Sequence, residues 1–376
     1  MGQEIYDVKI TAIDVTPVTI ALARPFTLSA GTVTHGNHVL VEIHTDAGIT
    51  GLGEGAPIGA TDGETQASMT DVLRNRIAPM LIGRDPRRIS DIITAMDRGV
   101  IDNLCAKAAI DLALHDLLGK ALGCPVYQLL GGRCRDEITV LETDIGIASP
   151  EDSARAAKEA KARGIGAYEV KIGKDPERDI AAVRLIREAI GPDAKIRIDA
   201  NEGYNRSTAL KILRAMEAAD LSYIEQPLPR WDVPGMAMLA AALDTPICAD
   251  QGAYTIHDVH KLIKADAADI VCIKIARSGL YKARIIAATC QAAGIRCTMG
   301  SMMPIGIGVA AIHHFAMSNP NVDVELGGVH GSTREFLGDD IIYGSTQDED
   351  GGIRLTDAPG FGVSLDRDKI KQYARA

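Results

Sequence analysis

SARAAKEAKARGIGAYEVKIG, residues 153–173, decides how the rest of the chain is read. Its first half spaces alanines and charges as an amphipathic helix does, and Gly164 and Gly166 end it. Its second half is a short apolar run that closes on Lys171. The unit recurs. STALKILRAMEAAD (207–220) is a second helical pattern, and the apolar run 221–226 follows it. Short apolar segments stand at 138–146, 167–172, 195–200, 221–226, 246–250, 269–275, 295–299 and 321–326, with starts about 25 residues apart. Eight short strands alternating with helices predict an α/β fold built on a TIM-type (β/α)8 barrel. A doubly wound open sheet is the alternative, but it rarely carries eight units so evenly spaced.

Upstream of the repeat the texture differs. Residues 7–20 and 38–46 alternate like antiparallel strands, and TDAGITGLGEG (45–55) supplies glycines between strands. Helical patterns follow at 62–81, 87–98 and 102–122; Gly123, Cys124 and Pro125 stop the last, and LLGG (129–132) marks a boundary. The expected organisation is an α+β domain over 1–130, the barrel over 131–345, and a Gly- and Asp-rich segment, 346–376, packing back on the first domain.

Hydrophobic residues make up 46% of the 376, enough for a large core, while aromatics are only 4%, which argues against nucleic-acid binding by stacked rings. The net charge of −10 argues against nucleic acid or an anionic membrane as partner. Seven cysteines, an odd number with no CxxC, fit reduced thiols in a cytoplasmic protein. MGQEIYDVKI has no signal-peptide pattern, and no apolar run is long enough to span a membrane.

Barrel active sites lie at the carboxyl ends of strands. The polar residues there are Lys171, Asp199 with Asn201, Glu225, Asp250 and Lys274; from Lys171 onward the spacings are 28, 26, 25 and 24 residues, one group per unit on one rim. A lone charge at a strand end is usually solvated, but five in register form a set. Three carboxylates on adjacent strands repel unless a cation joins them, and oxygen donors without His favour Mg²⁺, or Mn²⁺, over Zn²⁺. Lys171 and Lys274 lie four units apart in a ring of eight, which predicts one base on each face of a flat intermediate. A lysine near positive charge and buried is expected to have a lowered pKa. Glu169, two residues from Lys171 on the same strand face, is expected to raise it.

At these residues the chain resembles the enolase superfamily, specifically the mandelate racemase / muconate-lactonizing enzyme family and its muconate-lactonizing subgroup. AKAAIDLALHDLLGKALGCPVYQLLGG (106–132), then VKIG, IDAN, EQP, AD and IKIARSG in order, carry the resemblance. It implies a (β/α)7β-like barrel closed by an α+β capping domain, with capping loops near 24–36 and 53–63. It further implies Asp199, Glu225 and Asp250 as metal ligands, Lys171 and Lys274 as bases, and homo-oligomers. Three positions depart from the subgroup: Glu169 where it has a lysine, Gln251 where Glu is common, and Pro304 where several relatives carry Glu. Asp323 and Glu325, at the end of the last expected strand, are similar to the acidic pair that holds an amino group in dipeptide epimerases; a common turn is the bland reading.

The expected activity is isomerisation of a small carboxylate-bearing substrate, by abstraction of the proton alpha to the carboxylate through a metal-stabilised enediolate. A dehydratase of the same superfamily is the alternative. A class I aldolase leaves the three carboxylates without a purpose, and an inactive binding barrel sits poorly with the complete set. His257 and His260 are expected on the surface, His313 and His314 in packing, and GITGLGEG in a hairpin rather than a phosphate loop.

Overall fold

The computed structural model describes residues 8–138, 142–326, 329, 336–347 and 352–375. Strands β1 (Ile10–Leu28), β2 (Gly31–Thr45) and β3 (Thr50–Gly55) form an antiparallel sheet in that order. β1 and β2 run further than expected, so 24–36 is not an open loop. It is the end of a hairpin that turns at Ser29 and Ala30.

The helix Leu104–Leu122 lies across this sheet and is buried on nearly every side, which explains its apolar text. Gly51 and Gly53 of β3 face it. A Cβ at either would collide with the carbonyl oxygen of Ala113 or Ala109. The glycines of GITGLGEG therefore serve close strand–helix packing. At the helix start, Asn103 offers no side-chain cap. The buried Glu64 carboxylate accepts instead from Cys105 N (2.7 Å) and Ala106 N (3.2 Å), satisfying two otherwise orphaned donors.

The second sheet is all parallel: β4 (Glu142–Ile145), β5 (Ala167–Lys171), β6 (Lys195–Asp199), β7 (Leu221–Glu225), β8 (Ile247–Ala249), β9 (Ile270–Ile273) and β10 (Arg296–Met299), neighbours in chain order. A helix follows each strand, from Pro150–Ala162 after β4 to Gly306–Ser318 after β10. This is the barrel of the capped (β/α)7β fold. Among the described residues, the eighth expected strand, 321–326, shows one bridge, Val322 to Cys297, and a short 3₁₀ turn, Val324–Leu326. Asp323 is the reason: its carboxylate accepts from Glu325 N (3.0 Å), and this local turn competes with ladder pairing.

Downstream residues return to the first sheet. Val18 bridges Ala374, Arg375 N donates to Pro17 O (2.9 Å), and Arg367 pairs with the buried Glu42. Among the described residues no helix is long and apolar enough to cross a membrane, and all seven cysteines are free.

Candidate active site

Register puts the charged groups level. Lys171 pairs with Asp199 across β5 and β6, and Asp199 with Glu225 across β6 and β7. Asp250 follows β8 by one residue, and Lys274 follows β9 by one. The structure gathers all five at the carboxyl end of the barrel, each buried or nearly so. Lys171, Lys274, Asn201 and Gln251 line one small cavity, roofed by Phe26, Leu28 and Ile58 of the first domain.

Lys171 Nζ donates to Asp199 Oδ2 at 2.7 Å and also touches Glu169. Asp199 is further held by Asn201, through the backbone N–H (2.8 Å) and side-chain amide (2.7 Å). Across the strand pair, Glu169 meets Arg197, whose Nε donates to Glu169 Oε2 at 2.9 Å. The acidic departure at 169 is therefore balanced by a buried guanidinium. On the other side, Lys274 Nζ donates to Asp250 Oδ2 at 2.6 Å and Arg277 to Asp250 Oδ1. Gly300 leaves room for Lys274, since a Cβ there would strike its Cε.

Neither lysine has the lowered pKa expected of a free base. Burial pulls Lys171 down, but the charges of Asp199, Asp144 and Glu225 outweigh it, and the net shift is upward. Lys274 is also raised: burial is overcome by Asp250. Glu225 is pushed up to about 7 by burial, then by the negative charges of Asp199 and Asp250. Asp250 goes the other way, to about 2, because Lys274 and Arg277 outweigh its burial. Glu225 is 3% exposed, and among the described residues its carboxylate has no hydrogen-bond partner. A buried, unpartnered carboxylate repelled by two others fits a divalent cation, and the oxygen donors of Asp199, Glu225 and Asp250 suit Mg²⁺. Glu225, Asp250 and Cys272 bring donor atoms within 4.8 Å of one another, while Asp199 is turned toward Lys171 and Asn201.

Residues outside the sequence-based set complete the site. Gln226, in EQP, accepts from Asp250 N (3.0 Å) and Gly252 N (2.9 Å), tying the end of β7 to that of β8. Arg197 and Cys272 each sit two residues before a rim residue, a period-two signal that could have found them. Arg277 reaches toward the first domain, its Nε 3.8 Å from Asp62 Oδ1, and lies 3.8 Å over the Tyr254 ring. Thr61 O accepts from Tyr254 (2.7 Å) and Arg230 (2.8 Å), and Ser29 donates to Asn201 O (2.9 Å). Both expected capping segments thus touch the barrel mouth. Pro304 packs against Gly308, while Glu54 of β3 accepts from Ile305 N (2.8 Å) and Gly308 N (2.7 Å) at the start of the following helix.

Asp323 and Glu325 are not at the mouth. Asp323 pairs with Arg296 (2.9 Å) and Glu325 lies 3.7 Å from Lys195. Arg296 and Lys195 are the first residues of β10 and β6, so this acidic pair is at the amino end of the barrel. The turn at Asp323, where its carboxylate accepts from Glu325 N, holds both residues at this level. His257 and His260 are exposed; His313 bonds Thr346 (2.6 Å), and the buried His314 accepts from Tyr127 N (3.0 Å).

A capped parallel barrel with lysines and carboxylates on its carboxyl rim defines an enolase-type enzyme. The family descriptions agree: "Mandelate racemase / muconate lactonizing enzyme, N-terminal domain" matches residues 10–131 and "Enolase C-terminal domain-like" matches 152–369. N-succinyl-L-Arg/Lys racemase of Bacillus cereus is 34% identical over 369 residues, 97% of each chain. Muconate cycloisomerase 1 of Rhodococcus opacus is 33% identical, covering 98% of this chain and 99% of its own. A dipeptide epimerase of Enterococcus faecalis, solved with Mg and the dipeptide L-Leu-L-Tyr, superposes with a TM-score of 0.88 at 31% identity, over 95% of this chain and 99% of that one. The chain belongs to the mandelate racemase / muconate lactonizing enzyme family of the enolase superfamily, and it is an isomerase.

Proposed function

We propose that this isomerase removes the proton alpha to the carboxylate of a small substrate and returns a proton, as a racemase, epimerase or cycloisomerase does. The observation that carries this reading is that Lys171 and Lys274, from strands at opposite sides of the charged row, line the same cavity. Asp199, Glu225 and Asp250 hold Mg²⁺, and Mn²⁺ suits the same donors. When bound, the ion polarises the substrate carboxylate and offsets the negative charge that otherwise keeps both lysines protonated. One lysine, as the free amine, takes the α-proton on its face; the other, as ammonium, delivers a proton on the opposite face or to the double bond. In racemisation or epimerisation each turnover leaves the pair with its starting number of protons; in cycloisomerisation one lysine gives a proton to the enediolate, or takes the α-proton in the reverse direction, and exchanges it with solvent.

Asn201 holds Asp199 in place, and Gln251 faces the substrate from the cavity wall. Residues 1–130 act as the cap, 131–345 as the catalytic barrel, and 346–376 as the tie back to the cap. The enzyme works in the cytoplasm as a homo-oligomer, on a small molecule rather than on nucleic acid or membrane. The test is incubation of N-acylated amino acids, dipeptides and muconates in D₂O with Mg²⁺. Deuterium at an α-carbon, lost on chelation, is the expected result. Exchange that survives exhaustive chelation, or none with any α-carboxylate in the panel, overturns the reading.

A further inference from the structure

Cys272 is the second-last residue of β9 and, by the two-residue period of a strand, shares the inward face with Lys274. Gly300 keeps that space open, for a Cβ there would lie 2.6 Å from the Cys272 sulfur. Cys272 is 2% exposed, and its Sγ falls within 4.8 Å of donor oxygens of both Glu225 and Asp250. Glu225 is the second, independent sign of a ligand: it is buried, ionisable and without a hydrogen-bond partner among the described residues.

Two donor sets therefore share two carboxylates. Asp199, Glu225 and Asp250 offer oxygen alone, the chemistry of Mg²⁺. Glu225, Asp250 and Cys272 offer two oxygens and a sulfur, which a hard cation does not use and a borderline or soft one does. We propose that the barrel holds a second, thiophilic cation site formed by Glu225, Asp250 and Cys272, which takes Zn²⁺ or Cd²⁺ in competition with Mg²⁺. On binding, a metal–sulfur bond forms and the thiol proton passes to solvent; no electrons are exchanged. A cation so held draws Glu225 and Asp250 toward β9 and away from Asp199, so the two ions exclude each other.

The test is made on the full chain after chelation. One equivalent of Cd²⁺ per chain is expected to produce an ultraviolet sulfur-to-metal charge-transfer band, and excess Mg²⁺ to erase it. Cys272→Ser is expected to abolish the band and to weaken Cd²⁺ binding at least about tenfold, since even outer-shell partners of a metal cost that much. Cys248→Ser, which removes a neighbouring buried thiol, is expected to keep it. X-ray absorption on the Zn²⁺-loaded unmodified protein gives a reading that needs no variant: a sulfur neighbour at about 2.3 Å supports the site, and only light atoms at about 2.0–2.1 Å overturn it. A band that persists in Cys272→Ser, or that Mg²⁺ leaves untouched, also overturns it.

Discussion

The two ends of the barrel carry the same kinds of residue and treat them in opposite ways. At the carboxyl end, Lys171, Asp199, Asp250 and Arg277 are buried and bond chiefly their charged neighbours, and Glu225 is buried among their charges. At the amino end, Arg296 and Asp323 pair with side chains 50% and 23% exposed, and Lys195 and Glu325 with 42% and 80%. An exposed pair is screened and contributes about 0–1 kcal/mol, whereas charges taken out of water must be balanced among themselves. The contrast teaches that burial, more than residue type, separates a reactive set from a solvated one.

That contrast can be broken at several points. The largest expected effect is catalytic. Lys171→Met and Lys274→Met should each lower turnover about 10²–10⁴-fold, as loss of a general base does, while Lys195→Met should leave kcat within about twofold. Equal losses at both ends, read from steady-state rates, would erase the distinction. Next comes stability. Arg197→Met leaves Glu169 buried with Lys171 alone among the described residues to balance it and should cost about 3 kcal/mol, against at most about 1 kcal/mol for Arg296→Met, both read from urea midpoints.

A pH window sharpens the same point. Burial and two neighbouring carboxylates raise Glu225 from 4.5 to about 7. A carboxyl raised on folding stabilises fully below its unfolded value and loses that contribution as pH climbs through its folded one. The chelated enzyme should therefore lose stability as pH rises from 4.5 through 7. Glu225→Gln should flatten that slope in denaturation curves; an unchanged slope assigns it elsewhere. The smallest effect lies away from both ends. Gly53→Ala pushes a methyl into the Ala109 carbonyl and should cost about 1–3 kcal/mol by overpacking, seen as a lower melting temperature with the Mg²⁺-dependent shift retained.

Much of this was legible in the sequence for one reason: a parallel barrel puts a single polar residue at each strand end, and strand spacing counts them. The rim set Lys171, Asp199, Glu225, Asp250 and Lys274 followed from that count. What the count could not supply was the counter-charge. Glu169 reads as an uncompensated acid until Arg197 is seen opposite it, and the lysines read as free bases until the carboxylates are seen bonded to them. Asp323 and Glu325 were assigned to the wrong end because alternation gives a face but not a height. Glu64 and Glu54 were illegible altogether, since each serves a helix start far along the chain from its own position.

The return of the last helix to the first sheet carries a consequence for biosynthesis. Glu42 emerges from the ribosome 325 residues before Arg367, its buried counter-ion, and Val18 waits still longer for Ala374. The cap is thus translated first and finished last. Throughout synthesis its nascent outer strand stays open to wrong pairing, a hazard that slow, non-local contacts impose on large chains.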